Sequence, residues 1–203
     1  RFFFLGGALG WLSRYRAGGY VLVGLGGLAG GGGRASDWID LCFELICDQP
    51  SRLPKIRTHG FGVTSHQDLI RYPWWSVDSS TWTKSGAFGK ISVPRLRGGK
   101  FTFGDAPYLI IISDDSPRAK EQGQHYKTLT PPEKRIVDRW LAEINIPIGK
   151  TAIDGTVEEY GVTNRHSERK IANLLFFEKL RAWLPEYPWP FKLEQNKSRG
   201  LFG

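Results

Sequence analysis

The sequence predicts an α/β fold built on a parallel sheet, with its functional loops gathered on one face. Three observations carry that expectation. Short apolar runs that read as strands alternate with helix-like stretches between Tyr20 and Val77. Two of those strand candidates run into glycine-rich tips, Gly24 to Gly33 and Gly60-Phe61-Gly62. The third, Trp74-Trp75-Ser76-Val77, delivers a carboxylate, Asp78, at its far end.

The elements follow in chain order. Arg1 to Leu12 is mostly apolar but too short to span a bilayer. A buried element or a ragged fragment end is preferred over a signal-peptide core, because no small-residue cleavage site with a polar start follows. The chain has no methionine, even at position 1, so the start of the gene product is expected to be missing. Trp11 to Ala17 reads as the end of a helix closed by Gly18-Gly19. Tyr20 to Val23 reads as a continuous apolar strand of the buried parallel type.

The glycines after that strand tempt a dinucleotide-binding reading, but no acidic residue follows a second strand at the required distance. A phosphate loop fails for want of a Gly-Lys-Ser/Thr ending. Close backbone approach to a flat ligand and an ordinary flexible loop remain as alternatives. Ser36-Asp37-Trp38-Ile39-Asp40 is expected to open a helix whose Trp38, Leu41, Cys42 and Leu45 face the sheet.

Lys55 to His59 is the second strand, and Ser65 with Asp68 marks the start of a short helix ended by Pro73. From Thr83 to Lys100 five basic residues occur with no acidic one, broken by glycines and Pro94 into loop or short strand. Lys84, Lys90 and Arg95 in that run are candidates for phosphate contacts, an ordinary basic surface being the alternative. Tyr108 to Ile112 reads as a buried strand.

Beyond Gln122 the texture becomes helical. Thr130-Pro131-Pro132-Glu133 starts one helix, with an apolar stripe of Ile136, Val137, Trp140, Leu141 and Ile144. His166 to Trp183 is another, with Ile171, Leu174, Leu175, Phe177 and Leu180 expected on its apolar face. Residues 123–190 therefore read as a helical appendage and 191–203 as a polar tail.

Composition narrows the function. Lys and Arg number 28 against 20 Asp and Glu, a net charge of +8 that favours polyanionic partners, nucleic acid among them. Abundant aromatics exclude a disordered chain. The two cysteines, Cys42 and Cys47, match neither a zinc-ligand pair nor a disulfide framework and read as buried apolar residues of a reducing compartment.

Asp78, flanked by Ser79 and Ser80, suits an ionised nucleophile that holds a sugar covalently at its anomeric carbon. A turn or helix-capping Asp is the alternative. Phe61 between two glycines offers a flat stacking surface for a base taken out of its stack.

Taken together, these stretches resemble the C-terminal half of the guanine transglycosylase family over about Tyr20 to Lys90. Gly26-Gly27-Leu28-Ala29 resembles the family's Gly-Gly-Leu-Ala loop, whose backbone contacts the base. His59-Gly60-Phe61-Gly62-Val63 resembles the segment that lays a Met or Phe against the base face. Val77-Asp78-Ser79-Ser80 resembles the motif whose Asp is the nucleophile, and the set looks closest to the phage and bacterial branch acting on DNA.

The resemblance implies a partial (β/α)8 barrel, its C-terminal half, over residues 1–122. It implies exchange of guanine in nucleic acid, DNA favoured over tRNA, for a 7-deazaguanine base through a covalent Asp78–sugar intermediate. Gly26, Gly27, Leu28, Ala29, Phe61 and Gly62 would bind the base. The family's Glu after the Gly-rich loop is absent, which favours the cyano form of the base. The family's zinc site needs three Cys and a His, so no metal is expected, and no cofactor. Its general acid comes from earlier strands that nothing here matches. A half barrel of this kind is expected to expose apolar strand edges and, as an incomplete enzyme, not to be active by itself. The expected setting is the cytoplasm of a bacterium or phage-infected host, with no membrane partner.

Overall fold

A computed structural model describes residues 2–26, 33–63, 65–116 and 123–192 as a mixed α/β protein. Its contacts divide the chain into two compact units, Arg1–Ser79 with Pro185–Gly203, and Ser80–Leu184.

The first unit contains helix α1 (Phe2–Ala17), strand β1 (Leu22–Leu25), helix α2 (Gly33–Ile46), strand β2 (Arg57–Gly60), helix α3 (His66–Arg71) and strand β3 (Ser76–Val77). The strands pair in the order β1-β2-β3, all parallel, as strand–helix alternation requires. Register sets Gly24 beside His59 and His59 beside Ser76. The Gly18 N–H bonds the Arg14 carbonyl and closes α1 where the glycine pair was expected to. Ser65 caps α3 by accepting from the Asp68 N–H at 3.4 Å.

Two details depart from expectation. Helix α2 begins at Gly33, ahead of Ser36, since no proline blocks the backbone from coiling earlier; its carboxylates therefore lie beyond the first turn. Strand β1 is not buried on both faces. Val23 and Leu25 are buried, whereas Leu22 and Gly24, on the other face, are exposed. One face of the sheet is covered and the other is open.

An aromatic cluster consolidates the covered side. Phe43 of α2 stacks on Tyr72 at 5.1 Å and meets Trp74 edge-on at 5.0 Å. Phe191 returns from the far end of the chain to stack on Tyr72 at 5.5 Å, its N–H bonded to the Arg52 carbonyl. Phe191 is buried, at the point where a polar tail was expected to begin; residues 193–203 lie outside the described residues. Arg71 Nη2 donates to both Asp40 carboxylate oxygens at 2.7 and 2.9 Å, and Tyr72 Oη donates to the same group at 3.0 Å. Burial, reinforced by the Asp40 charge, pushes the Tyr72 phenol well above its ordinary range.

The second unit contains helix α4 (Thr81–Ala87), strands β4 (Lys90–Val93), β5 (Arg95–Arg97), β6 (Lys100–Thr102) and β7 (Tyr108–Ile111), helix α5 (Pro131–Glu143), strands β8 (Lys150–Thr151) and β9 (Val157–Glu159), and helix α6 (His166–Trp183). Its sheets are two-stranded antiparallel pairs, β4-β7, β5-β6 and β8-β9. The expected boundary between residues 122 and 123 falls within this unit's span. Helix α5 starts at Pro131 as expected, and the Thr130 N–H donates to Glu133 Oε2 at 2.8 Å. Lys84, expected in loop or strand, lies on α4.

Helix α6 has its expected bounds but a different buried face. Arg169, Ala172, Asn173, Phe176 and Leu180 point inward, while Ile171 and Leu174 are 42% and 41% exposed. The inward polar residues are used. Asn173 Oδ1 accepts from the Ser92 N–H at 2.7 Å, and its Nδ2 donates to the carbonyls of Trp82 and Lys90. Arg169 donates to the carbonyls of Gly86 and Val162, each at 2.8 Å.

Candidate functional site

Alternation along a strand puts residues two apart on one face. On the open face of the first unit this groups Gly24 of β1, His59 of β2 and Ser76 of β3 at one level. Phe61 and Asp78 follow two residues on, just past the C-terminal ends of β2 and β3. Polar and aromatic side chains therefore share the uncovered face, while Val23, Leu25 and Thr58 occupy the buried one.

The tip of β2 is shaped by its glycines. Gly62 sits at φ +68°, a conformation that costs an L side chain about 1 kcal/mol or more. That turn aims the Gly62 N–H at Asp78 Oδ1, which accepts it. The Asp78 N–H donates to the Gly60 carbonyl at 3.2 Å, so backbone and side chain both tie the end of β3 to β2. The Asp78 side chain is nonetheless 59% exposed. A bound N–H on one oxygen and solvent at the group leave the carboxylate oriented and accessible.

Phe61 is fixed beside it. Its N–H donates to the Leu25 carbonyl at 2.9 Å, and its ring lies over β1. A Cβ on Gly24 would come within 2.5 Å of ring carbon Cε2, so glycine there is what lets the edge of the ring approach the strand. The ring also passes 4.0 Å from where a Cβ on Gly26 would stand. It remains 53% exposed, an aromatic ring in reach of a ligand.

His59 joins this group. Its Nδ1 is 2.9 Å from Ser76 Oγ, its ring meets Phe61 edge-on at 4.6 Å, and its Nε2 stands 3.9 Å from Asp78 Oδ2. Sequence reasoning used His59 only as part of a motif and passed over Ser76. Their adjacency is set by the register of β2 on β3, which no local sequence signal announces.

Of the expected site residues, the structure brings Asp78, Phe61, Gly62 and Gly26 together. Gly27, Leu28 and Ala29 lie outside the described residues. Lys84, Lys90 and Arg95 belong to the second unit. There Lys84 is exposed on α4. The Arg95 guanidinium lies 3.7 Å from the Tyr108 ring centroid, and its Nε donates to the Ala106 carbonyl at 2.8 Å. Arg95 is thus partly spent on its own loop.

A cavity of about 950 Å³ in the first unit lies at the opposite ends of the strands, lined by Tyr20, Val21, Lys55, Ile56 and Arg57 among others. In strand–helix folds of this kind chemistry belongs to the C-terminal strand ends, so the open surface at Asp78 is preferred over that cavity. Among the described residues no cluster of three or more His, Cys, Asp or Glu is arranged to hold a metal ion. Nor is any helix among them long and apolar enough to cross a membrane. No protein-family model, no curated protein and no solved structure matches this chain.

Proposed function

We propose that the chain is a pentosyltransferase that exchanges guanine in nucleic acid for a 7-deazaguanine base, with DNA favoured over tRNA and the cyano form of the base favoured. In this reading the three parallel strands are part of a (β/α)8 barrel, and their open face belongs to its interior. The observation that carries it is the convergence of Asp78 and Phe61, joined through Gly62, at adjacent C-terminal strand ends.

The chemistry follows from that pairing. Exchange without net hydrolysis needs a group that holds the sugar after the first base leaves. Asp78 Oδ1 is held by the Gly62 N–H, and Oδ2 is left to attack the anomeric carbon. Phe61 stacks the departing and incoming bases, and the Gly26–Leu28 backbone reads their edges. The surplus of 28 basic over 20 acidic residues attracts the phosphate backbone, with Lys84, Lys90 and Arg95 as candidate contacts.

Incubation of a full-length form of the protein with labelled guanine and either duplex DNA or tRNA tests the activity and its substrate together. Incorporation into DNA that falls at least a thousandfold in Asp78→Asn is expected, the loss of a nucleophile. Binding of DNA without incorporation would leave a nucleic-acid-binding module in place of an enzyme. Incorporation confined to tRNA would move the substrate to RNA.

A further inference from the structure

We propose that the second unit holds a pocket for a nucleoside monophosphate, between the start of α6 and the strands β4 and β7. The inference does not depend on the base-exchange reading. It gives Lys90, so far a candidate contact to a nucleic-acid backbone, a defined place.

A cavity of about 740 Å³ lies there, lined entirely by residues of the second unit. Pockets that enclose small ligands measure roughly 300–1,000 Å³. Its walls are fixed by the backbone. The N–H groups of Ile112 and Ser113 both donate to the Gly89 carbonyl, at 2.8 and 3.2 Å. Gly89 sits at φ +78°, and a Cβ there would come within 2.8 Å of Ser113 Cβ, so glycine lets these walls meet.

Charge marks what the cavity takes. Three basic side chains line it, Lys90, Arg169 and Lys170, against one carboxylate, Asp115. That surplus matches a phosphate monoester, which carries close to two negative charges. Arg169 is the strongest sign. It is 6% exposed, yet no Asp or Glu among the described residues lies within ion-pair distance of its guanidinium. Its Nε and Nη1 donate to the carbonyls of Gly86 and Val162, which orient the group without neutralising it. Burial pulls its pKa below the ordinary value, and the charges of Asp115 and Asp114 act against that. A phosphate in the cavity supplies the missing counter-charge, and a guanidinium suits its oxygens. Helix α6 also begins there with no side chain capping it, an end that favours an anion. Phe88 lines the same cavity and is 75% exposed, an aromatic ring in reach of a base.

The test is calorimetric titration of the full chain with adenosine monophosphate and with adenosine, whose base the proposed exchange does not handle. The variants are Lys90→Gln and Lys170→Gln, since Arg169 also holds the backbone at Gly86 and Val162. Lys179→Gln removes the same charge from the other end of α6 and serves as the control. The nucleotide is expected to bind at least about tenfold tighter than adenosine, with each cavity variant weakening it about tenfold and the control leaving it unchanged. Phe88→Ala is expected to weaken it about fivefold or more. Equal binding of nucleotide and nucleoside would overturn the proposal, as would equal losses in Lys170→Gln and Lys179→Gln. Undiminished binding in Phe88→Ala would remove the base from it. Competition by an oligonucleotide only when its 5′ end is phosphorylated assigns the pocket to a strand end, and competition by neither form assigns it to the free nucleotide. Equal competition by both forms would mean attraction to backbone charge alone and would contradict a pocket for a monoester.

Discussion

Gly24 decides where the Phe61 ring lies. An added Cβ would meet ring carbon Cε2 at 2.5 Å, a separation that real atoms do not adopt. The ring is half exposed and has room to swing away, so Gly24→Ala should change folding stability by less than about 1 kcal/mol. It should cost the stacking surface, about 1 kcal/mol or more per base. The expected outcome is a five- to tenfold rise in the KM for the base with an unchanged urea midpoint. A lowered midpoint with unchanged KM would mean that the ring is packing, not a ligand surface. Gly62 is tied to its place by a different cause, the φ of +68° that turns its N–H toward Asp78.

At the scale of the element, α6 shows where hydrophobic spacing stops being informative. Its bounds, His166–Trp183, follow from sequence, since Pro185 forbids continuation. Its buried face does not. Counting apolar residues favours Ile171 and Leu174, yet the helix turns Arg169 and Asn173 inward. Asn173 takes up the Ser92 N–H and the carbonyls of Trp82 and Lys90, which would otherwise be buried without partners. No local pattern announces a tertiary requirement of that kind.

That network yields a signed prediction. Asn173→Asp replaces an N–H donor with a carboxylate oxygen facing two carbonyls, so the charged form is disfavoured. The variant should unfold at lower urea than wild type by about 2–4 kcal/mol at neutral pH. It should recover part of that loss below pH 5, where the Asp is protonated and donates again. No dependence on pH would contradict the assigned hydrogen bonds.

The parallel sheet was more legible. Strand alternation with helices, the Ser65 cap and the Pro73 stop placed β1, β2, β3 and α3 in order. Asp78 and Phe61 could be singled out because a carboxylate and a bare aromatic are costly ornaments at glycine-rich strand tips. His59 and Ser76 were harder to see, because their adjacency depends on register, which sequence does not state. The open face of β1 was hidden for a related reason. An apolar run such as Tyr20 to Val23 reads the same whether one face is covered or two.

At the scale of the whole molecule, the first unit is closed by residues from both ends of the chain. Phe191 packs on Phe43 and Tyr72, and Arg52 Nε donates to the Phe191 carbonyl at 3.1 Å. Cys42 and Cys47 lie in this unit's buried interior. Burial pushes the Cys42 thiol up to about 12 and the Cys47 thiol to about 11, from an ordinary 9.0. A thiol with a raised pKa is neutral when protonated, so folding favours the protonated form. Its contribution to stability is complete below pH 9 and is lost as pH climbs toward 11 and 12. Urea midpoints should therefore fall across that alkaline range, and Cys42→Val should fall less steeply than wild type. An equal slope in the two proteins would mean that the thiol is not shielded from water.

The role of Asp78 is tested most directly by trapping its sugar adduct. A full-length form of the protein is mixed with guanine-containing DNA, quenched in acid denaturant, digested and read by peptide mass spectrometry. A deoxyribosyl-linked peptide containing Asp78 in wild type, missing from Asp78→Asn, is the predicted result. Base exchange that proceeds undiminished in Asp78→Asn, or an adduct on a different residue, would contradict it.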